Sequence, residues 1–227
     1  MNINFKQAHK NNFCSGRTQN IKYIVIHYTA NDGDTAKNNI DYYAREENLK
    51  ASAHFYVDEN EVWQSVKEGD TAYHCGANKY VHPYCRNSNS IGIELCSRKD
   101  ADGKYYFKDE TIQNAAKLTK ELMAKYNIFV GNVIRHYDVT GKICPAPMVN
   151  DEILWNTFKA MLTEKNKIET GNDIDCVLKW KYGITFDSVE NEKTFIKELD
   201  ELRANDSKVY WVFYKLANNW QENINSV

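Results

Sequence analysis

The chain has 227 residues, a formal net charge of −2 and a pI near 6.3. That is long enough for one large domain or for a domain with an appendage, and too weakly charged for nucleic acid or an anionic membrane surface to be the main partner. The N-terminus lacks the apolar core of a signal peptide, no stretch approaches the roughly 18 apolar residues of a membrane span, and the six cysteines contain no C-x-x-C pair, so a chain made in the cytoplasm without a signal peptide or membrane insertion is expected.

Residues 21–28 are β-branched and aromatic with almost no polar interruption, which predicts a central strand covered on both faces. It ends at His27, before a turn-rich segment, and the carboxyl ends of strands are where sites collect in α/β sheets. Asp34 is the expected N-cap of a helix from Thr35 to Asn48, with Ile40, Tyr43 and Ala44 as its buried stripe. Residues 52–58 and 61–66 read as two strands of a hairpin turning at Glu59 and Asn60. His54 alternates with Tyr56 along the first of these, and a strand histidine flanked by aromatics reads first as a hydrogen-bonded structural group. Residues 69–90 show no periodicity and form a long loop, a kind of segment that usually carries function. In it His74 is a candidate substrate contact; Asn89, at the end of the loop, and His54 are included as further candidates.

Residues 90–96 form the next strand. Alternation puts Ile91, Ile93 and Leu95 on one face and Gly92, Glu94 and Cys96 on the other. A carboxylate in such a strand is costly to bury unpaired and its pKa rises, which is the property a general base needs. Asp109 is the expected cap of a helix reaching Asn127, with Ile112, Ala115, Ala116, Thr119, Leu122, Met123 and Tyr126 as its stripe. Val133 and Ile134 then lead to a strand end at His136, followed by a loop carrying Lys142 and Cys144 and stiffened by Pro145 and Pro147. Asn150 is the expected cap of a helix carrying Ile153, Leu154, Phe158, Met161 and Leu162. The order is β-α-β-β-loop-β-α-β-α, an α/β class with a mixed central sheet flanked by helices. Imidazole and thiolate together suit Zn²⁺, so His136 and Cys144, with His27 at another strand end, are a candidate ligand set.

Taken together, Ile24-Val25-Ile26-His27-Tyr28-Thr29, Ala51-Ser52-Ala53-His54-Phe55, Ser90-Ile91-Gly92-Ile93-Glu94-Leu95 and Arg135-His136-Tyr137-Asp138 through Lys142-Ile143-Cys144-Pro145 resemble the zinc-dependent N-acetylmuramoyl-L-alanine amidases of the type-2 family, over roughly residues 20 to 162. The resemblance implies that His27, His136 and Cys144 are the zinc ligands and that Lys142 steadies the oxyanion. T7-lysozyme-like members carry a catalytic tyrosine just before the second-strand histidine, where this chain has Ala53; members without it place a glutamate at the position of Glu94. The implied activity is hydrolysis of the amide between N-acetylmuramic acid and L-alanine in bacterial peptidoglycan, by an endolysin of a phage or prophage of a Gram-positive host that acts on the wall after release. A non-catalytic peptidoglycan-binding module is the alternative, and it typically lacks the cysteine ligand.

The expected domains are a catalytic unit over 1–165, a polar linker over 166–172 and a small helical domain over 173–227. The last carries Trp180, Trp211 and Trp220, more aromatics than so small a bundle can bury, so it is expected to bind cell wall or to associate with a second copy.

Overall fold

The computed structural model describes residues 1–163, and Met1–Lys165 form one compact unit. The linker and helical domain expected beyond it lie outside the described residues. The strands are β1 (Asn4–Phe5), β2 (Phe13–Cys14), β3 (Tyr23–Tyr28), β4 (Phe55–Val57), β5 (Val62–Gln64), β6 (Thr71–Ala72), β7 (Ser90–Leu95), β8 (Arg98–Lys99), β9 (Tyr105–Tyr106) and β10 (Val133–Arg135). Six of them form the main sheet in the order β1-β5-β4-β7-β3-β10. β4, β7, β3 and β10 run parallel, and β5 with β1 runs the other way. The mixed sheet expected from the element order is therefore present, with β1 added at one edge.

Helices α1 (Ala36–Arg45), α2 (Asp109–Tyr126), α3 (His136–Thr140), α4 (Ala146–Asn150) and α5 (Glu152–Thr163) complete the described unit. The apolar face of the sheet, Ile24 and Ile26 of β3 with Ile91, Ile93 and Leu95 of β7, packs with Ile112, Ala115, Leu118 and Leu122 of α2 and with Trp155 and Phe158 of α5. α1 supplies Ala36 and Ile40 to a separate cluster with Ala53, Tyr56 and Cys96. Cys96 thus falls away from Ile91, Ile93 and Leu95, as the alternation requires.

Several boundaries differ from expectation, each for a local reason. The N-cap of α1 is Thr35, whose side chain accepts from the Asn38 amide while Asn38 Oδ1 accepts from the Thr35 amide at 3.1 Å. Asp34 is not the cap because its oxygens accept from Thr29, Asn31 and Asn39 side chains. The buried Asp58 takes the Ala36 amide at 2.7 Å instead, a long-range contribution that no local pattern reveals. Asp109 is the first helical residue of α2, where with Glu110 it faces the positive end of the helix dipole. Asp151, not Asn150, caps α5, its Oδ1 accepting from the amides of Ile153 and Leu154. The shift rotates the stripe: Trp155 is buried, and Ile153 is 79% exposed. Finally, β4 begins at Phe55, so His54 precedes the strand.

Candidate metal centre

Three adjacent parallel strands bring the candidate residues together. His27 is the fifth residue of β3 and pairs in register with Glu94 of β7. On the other side of β3, β10 ends at Arg135, and His136 opens α3 rather than ending the strand. The turn from α3 to α4 then returns Cys144 to the same place. Arg135 holds that turn: its guanidinium donates to both Asp138 carboxylate oxygens, to the Met148 carbonyl and to Glu152. Asp138 also accepts the Arg135 amide at 2.8 Å, the Tyr137 amide donates to the Cys144 carbonyl at 2.8 Å, and the Cys144–Pro145 peptide is cis.

One ligand atom each from His27, His136 and Cys144 lies within 4.8 Å of the others, and all three residues are buried. Cys144 Sγ is 3.7 Å from His27 Nδ1; nitrogen and sulfur bound tetrahedrally to one zinc ion would be about 3.6 Å apart from ordinary bond lengths. Burial first, then neighbouring His136, His74, Lys142 and His54, holds His27 well below its usual pKa. Burial and Lys142 hold His136 at about 4. Both imidazoles are therefore neutral at pH 7, as ligands must be. Burial pushes the Cys144 thiol up to about 12, so its thiolate forms here only beside a cation. Among the described residues five buried side-chain polar atoms have no partner, and two of them, His136 Nδ1 and Glu94 Oε2, belong to this cluster. Buried polar atoms are rarely left unpaired in a native fold, so these two point to a missing partner. The donor set, its spacing and the orphaned nitrogen fit a zinc ion.

Glu94 lies in a cavity of about 660 Å³ lined also by His27, Tyr28, Asp34, Tyr43 and Lys142. Burial pushes its carboxyl up to about 8, with Lys142 opposing and Asp34 reinforcing the shift. The folded chain then keeps a proton on Glu94 that the unfolded chain releases near the ordinary value of 4.5. Between those values this carboxyl costs the metal-free fold increasing stability as pH rises. Metal-free Glu94→Gln is accordingly expected to gain stability over the parent from pH 5 to pH 8, read as the difference in urea midpoint. A difference that stays constant with pH would mean the carboxyl titrates normally.

Of the three candidate substrate contacts, only His74 lines this cavity and the adjoining one of about 960 Å³. His54 is 0% exposed, its Nδ1 accepts from the Gly92 amide at 3.0 Å, and its Nε2 faces Arg17 and the Asp70 carbonyl. Both of its ring nitrogens are thus engaged within the fold, as expected of a structural histidine. Asn89 lines neither cavity: its side-chain oxygen accepts from the Arg86 amide and its nitrogen donates to Gln19 and to the Tyr84 carbonyl. Sequence reasoning missed Asp34, Asn39 and Tyr56 as cavity walls, because Asp34 reads as a cap and Tyr56 as core until α1 is set against β4. It also did not single out Ser90, which alternation puts on the face of Glu94 and whose hydroxyl lies 3.1 Å from His74 Nε2.

The N-acetylmuramoyl-L-alanine amidase family pattern matches residues 17–147. The chain is 37% identical over 147 residues to the amidase CwlL of Bacillus licheniformis, covering 61% of this chain and 40% of that protein. It is 33% identical over 162 residues to the amidase BlyA of Bacillus subtilis, covering 66% and 43%. The chain thus spans about two fifths of the length of these relatives. Among solved structures it is similar to PlyL, at 28% identity and a TM-score of 0.61 over 73% of this chain and 99% of that one. It is also similar to the catalytic domain of XlyA, at 32% identity and a TM-score of 0.59 over 71% and 99%. With more than half of its length matched by the family pattern, the chain belongs to the type-2 N-acetylmuramoyl-L-alanine amidase family.

Proposed function

We propose that the chain is a zinc-dependent peptidoglycan hydrolase that cleaves the amide between the lactyl group of N-acetylmuramic acid and L-alanine. The observation that carries this reading is the meeting of two neutral imidazoles and a buried thiol beside an unpartnered carboxyl, at the ends of adjacent strands, in a member of this family. Zinc held by His27, His136 and Cys144 would polarise the scissile carbonyl and lower the pKa of a bound water toward about 7. A nearby dication favours the Glu94 carboxylate over its acid. Glu94 then accepts a proton from the attacking water and returns it to the leaving nitrogen, so that hydroxyl ends on the carbonyl carbon and hydrogen on the amine. Lys142, exposed on the rim of both cavities, donates to the developing oxyanion, a contact commonly worth about 3 kcal/mol. Tyr28 and Tyr42 line the cavity and offer flat faces to sugar or peptide.

The test is mass spectrometry of wall fragments after digestion. The expected products are peptides with a free N-terminal L-alanine and glycan with free lactyl carboxyls. Wall binding without fragments would favour the non-catalytic module, and any other cleaved bond would change the reaction class.

The remaining assignments follow from that reading. Peptidoglycan is the partner, with no nucleic acid and no membrane insertion, and the chain is made in the host cytoplasm and acts on the wall after release. No helix among the described residues is long and apolar enough to cross a membrane. Residues 173–227 are assigned wall targeting, which raises the local concentration of enzyme at an insoluble substrate. A chain truncated after Lys165 is expected to hydrolyse soluble muropeptide at the parental rate and to sediment less with purified wall. Unchanged sedimentation together with a fall in molar mass by light scattering would make the segment a self-association element instead.

A further inference from the structure

Behind His27 runs a series of three hydrogen bonds whose direction can be read from its far end. His27 Nε2 is 3.0 Å from His74 Nδ1, His74 Nε2 is 3.1 Å from Ser90 Oγ, and Ser90 Oγ is 2.6 Å from the Arg86 carbonyl oxygen. A carbonyl only accepts, and a hydroxyl has one proton to give. Ser90 therefore donates to Arg86 and must accept from His74, whose hydrogen sits on Nε2. The Cys75 thiol, 3.8 Å from Ser90 Oγ, is too distant to compete with a bond of 2.6 Å to oxygen. A neutral imidazole protonated at Nε2 is an acceptor at Nδ1, so His74 accepts from His27 Nε2–H. The final consequence falls on His27. Its Nδ1 keeps a free lone pair, and that is the nitrogen 3.7 Å from Cys144 Sγ. Run the other way, the same series would leave a hydrogen on His27 Nδ1 and take from the Arg86 carbonyl its shortest donor.

The sheet is shaped to hold this series. Ser90, Gly92 and Glu94 share one face of β7, and a Cβ at Gly92 would lie 2.6 Å from His74 Cγ and 2.8 Å from its Nδ1. Only glycine lets the ring lie so close to the strand. The ring meets His27 edge to face, with centroids 5.2 Å apart and planes at 87°. Ser90 is fully buried, so water does not offer its hydroxyl an easy substitute partner.

We propose that Ser90 and His74 are positioning residues of the metal centre: the Ser90 hydroxyl, committed to the Arg86 carbonyl, fixes the His74 tautomer, which fixes that of His27 and presents Nδ1 bare to the ion. The inference rests on the zinc reading above. Groups that orient a ligating histidine from behind change metal affinity by about 10–100-fold when removed.

The tautomers are measured directly in the zinc-free, ¹⁵N-labelled parental protein by long-range proton–nitrogen correlation of the imidazoles. Both His27 and His74 are expected to carry hydrogen on Nε2; finding His27 protonated at Nδ1 overturns the proposal whatever the variants do. Zinc affinity is then measured by competition with a chromophoric chelator. Ser90→Ala, and His74→Phe, which keeps a flat ring over Gly92, are each expected to weaken zinc by about 10–100-fold. Gly92→Ala, which displaces His74 without removing a hydrogen-bonding group, is expected to do the same. Parental affinity in all three overturns the proposal. If a variant does not melt cooperatively, the others and the parental tautomers decide. A parental protein that binds no zinc defeats the zinc reading itself, whereas zinc bound equally by parent and variants defeats only the relay.

Discussion

Cys144→Ser is expected to lose both zinc and hydrolysis. A protein zinc site with a full set of strong ligands is worth roughly 10–16 kcal/mol at neutral pH. Losing the thiolate from a set of three therefore removes on the order of several kcal/mol, or about 10³-fold or more in affinity. Serine does not replace it, because a hydroxyl does not ionise at neutral pH even beside two imidazoles. His27→Ala and His136→Ala belong to the same experiment, since each leaves only two ligands. Metal content after gel filtration is the readout, with thermal melting of the metal-free proteins as the control for folding. Full zinc occupancy in any of the three would break the ligand assignment, and full occupancy in Cys144→Ser would break it at its most distinctive residue.

The second large effect belongs to Glu94. Glu94→Gln keeps the shape of the side chain and removes its ability to take a proton, so zinc is expected to stay bound while kcat falls by about 10²-fold or more, the usual scale for a general base. If Glu94 acts only on the attacking water, KM is expected to change little, the pattern of an interaction used in the transition state alone. Lys142→Ala is expected to give a similar kcat loss, about 10²-fold, if it meets the oxyanion rather than the ground-state carbonyl. Turnover at the parental rate in Glu94→Gln would move the base elsewhere. Asp34 would be the next residue to examine, because it lines the same cavity.

Much of this arrangement is legible in the chain itself. β3 and β7 announce themselves because their apolar runs are long or alternate strictly, and His27 and Glu94 interrupt them; β10 is a short Val133-Ile134 run whose position is marked by the Arg135-His136 pair that follows. What stayed illegible depends on partners far away in sequence. Thr35 wins the cap of α1 from Asp34 only because Asp34 is occupied by Thr29, Asn31 and Asn39. Two-residue strands such as β1 and β8 are too short to show any period. His54 and His74 look alike as loop or strand histidines; what separates them is that one ring is spent on the Gly92 amide and the other on His27.

The central sheet also acts as a partition between two kinds of mutational consequence. Ile24, Ile26, Ile91, Ile93 and Leu95 project into the packing with α2 and α5, while His27, Gly92 and Glu94 alternate with them and project the other way. Exchanges such as Ile→Val on the packed side cost about 0.5–1.5 kcal/mol each and are felt as melting temperature. Val25 and Tyr23 also pack on the opposite side, but changes at His27 and Glu94 there are expected to be felt as chemistry. A lineage can therefore spend or regain stability on one side of β3 and β7 while leaving the reacting groups undisturbed. An engineer seeking a hardier protein would search the α2 and α5 side first.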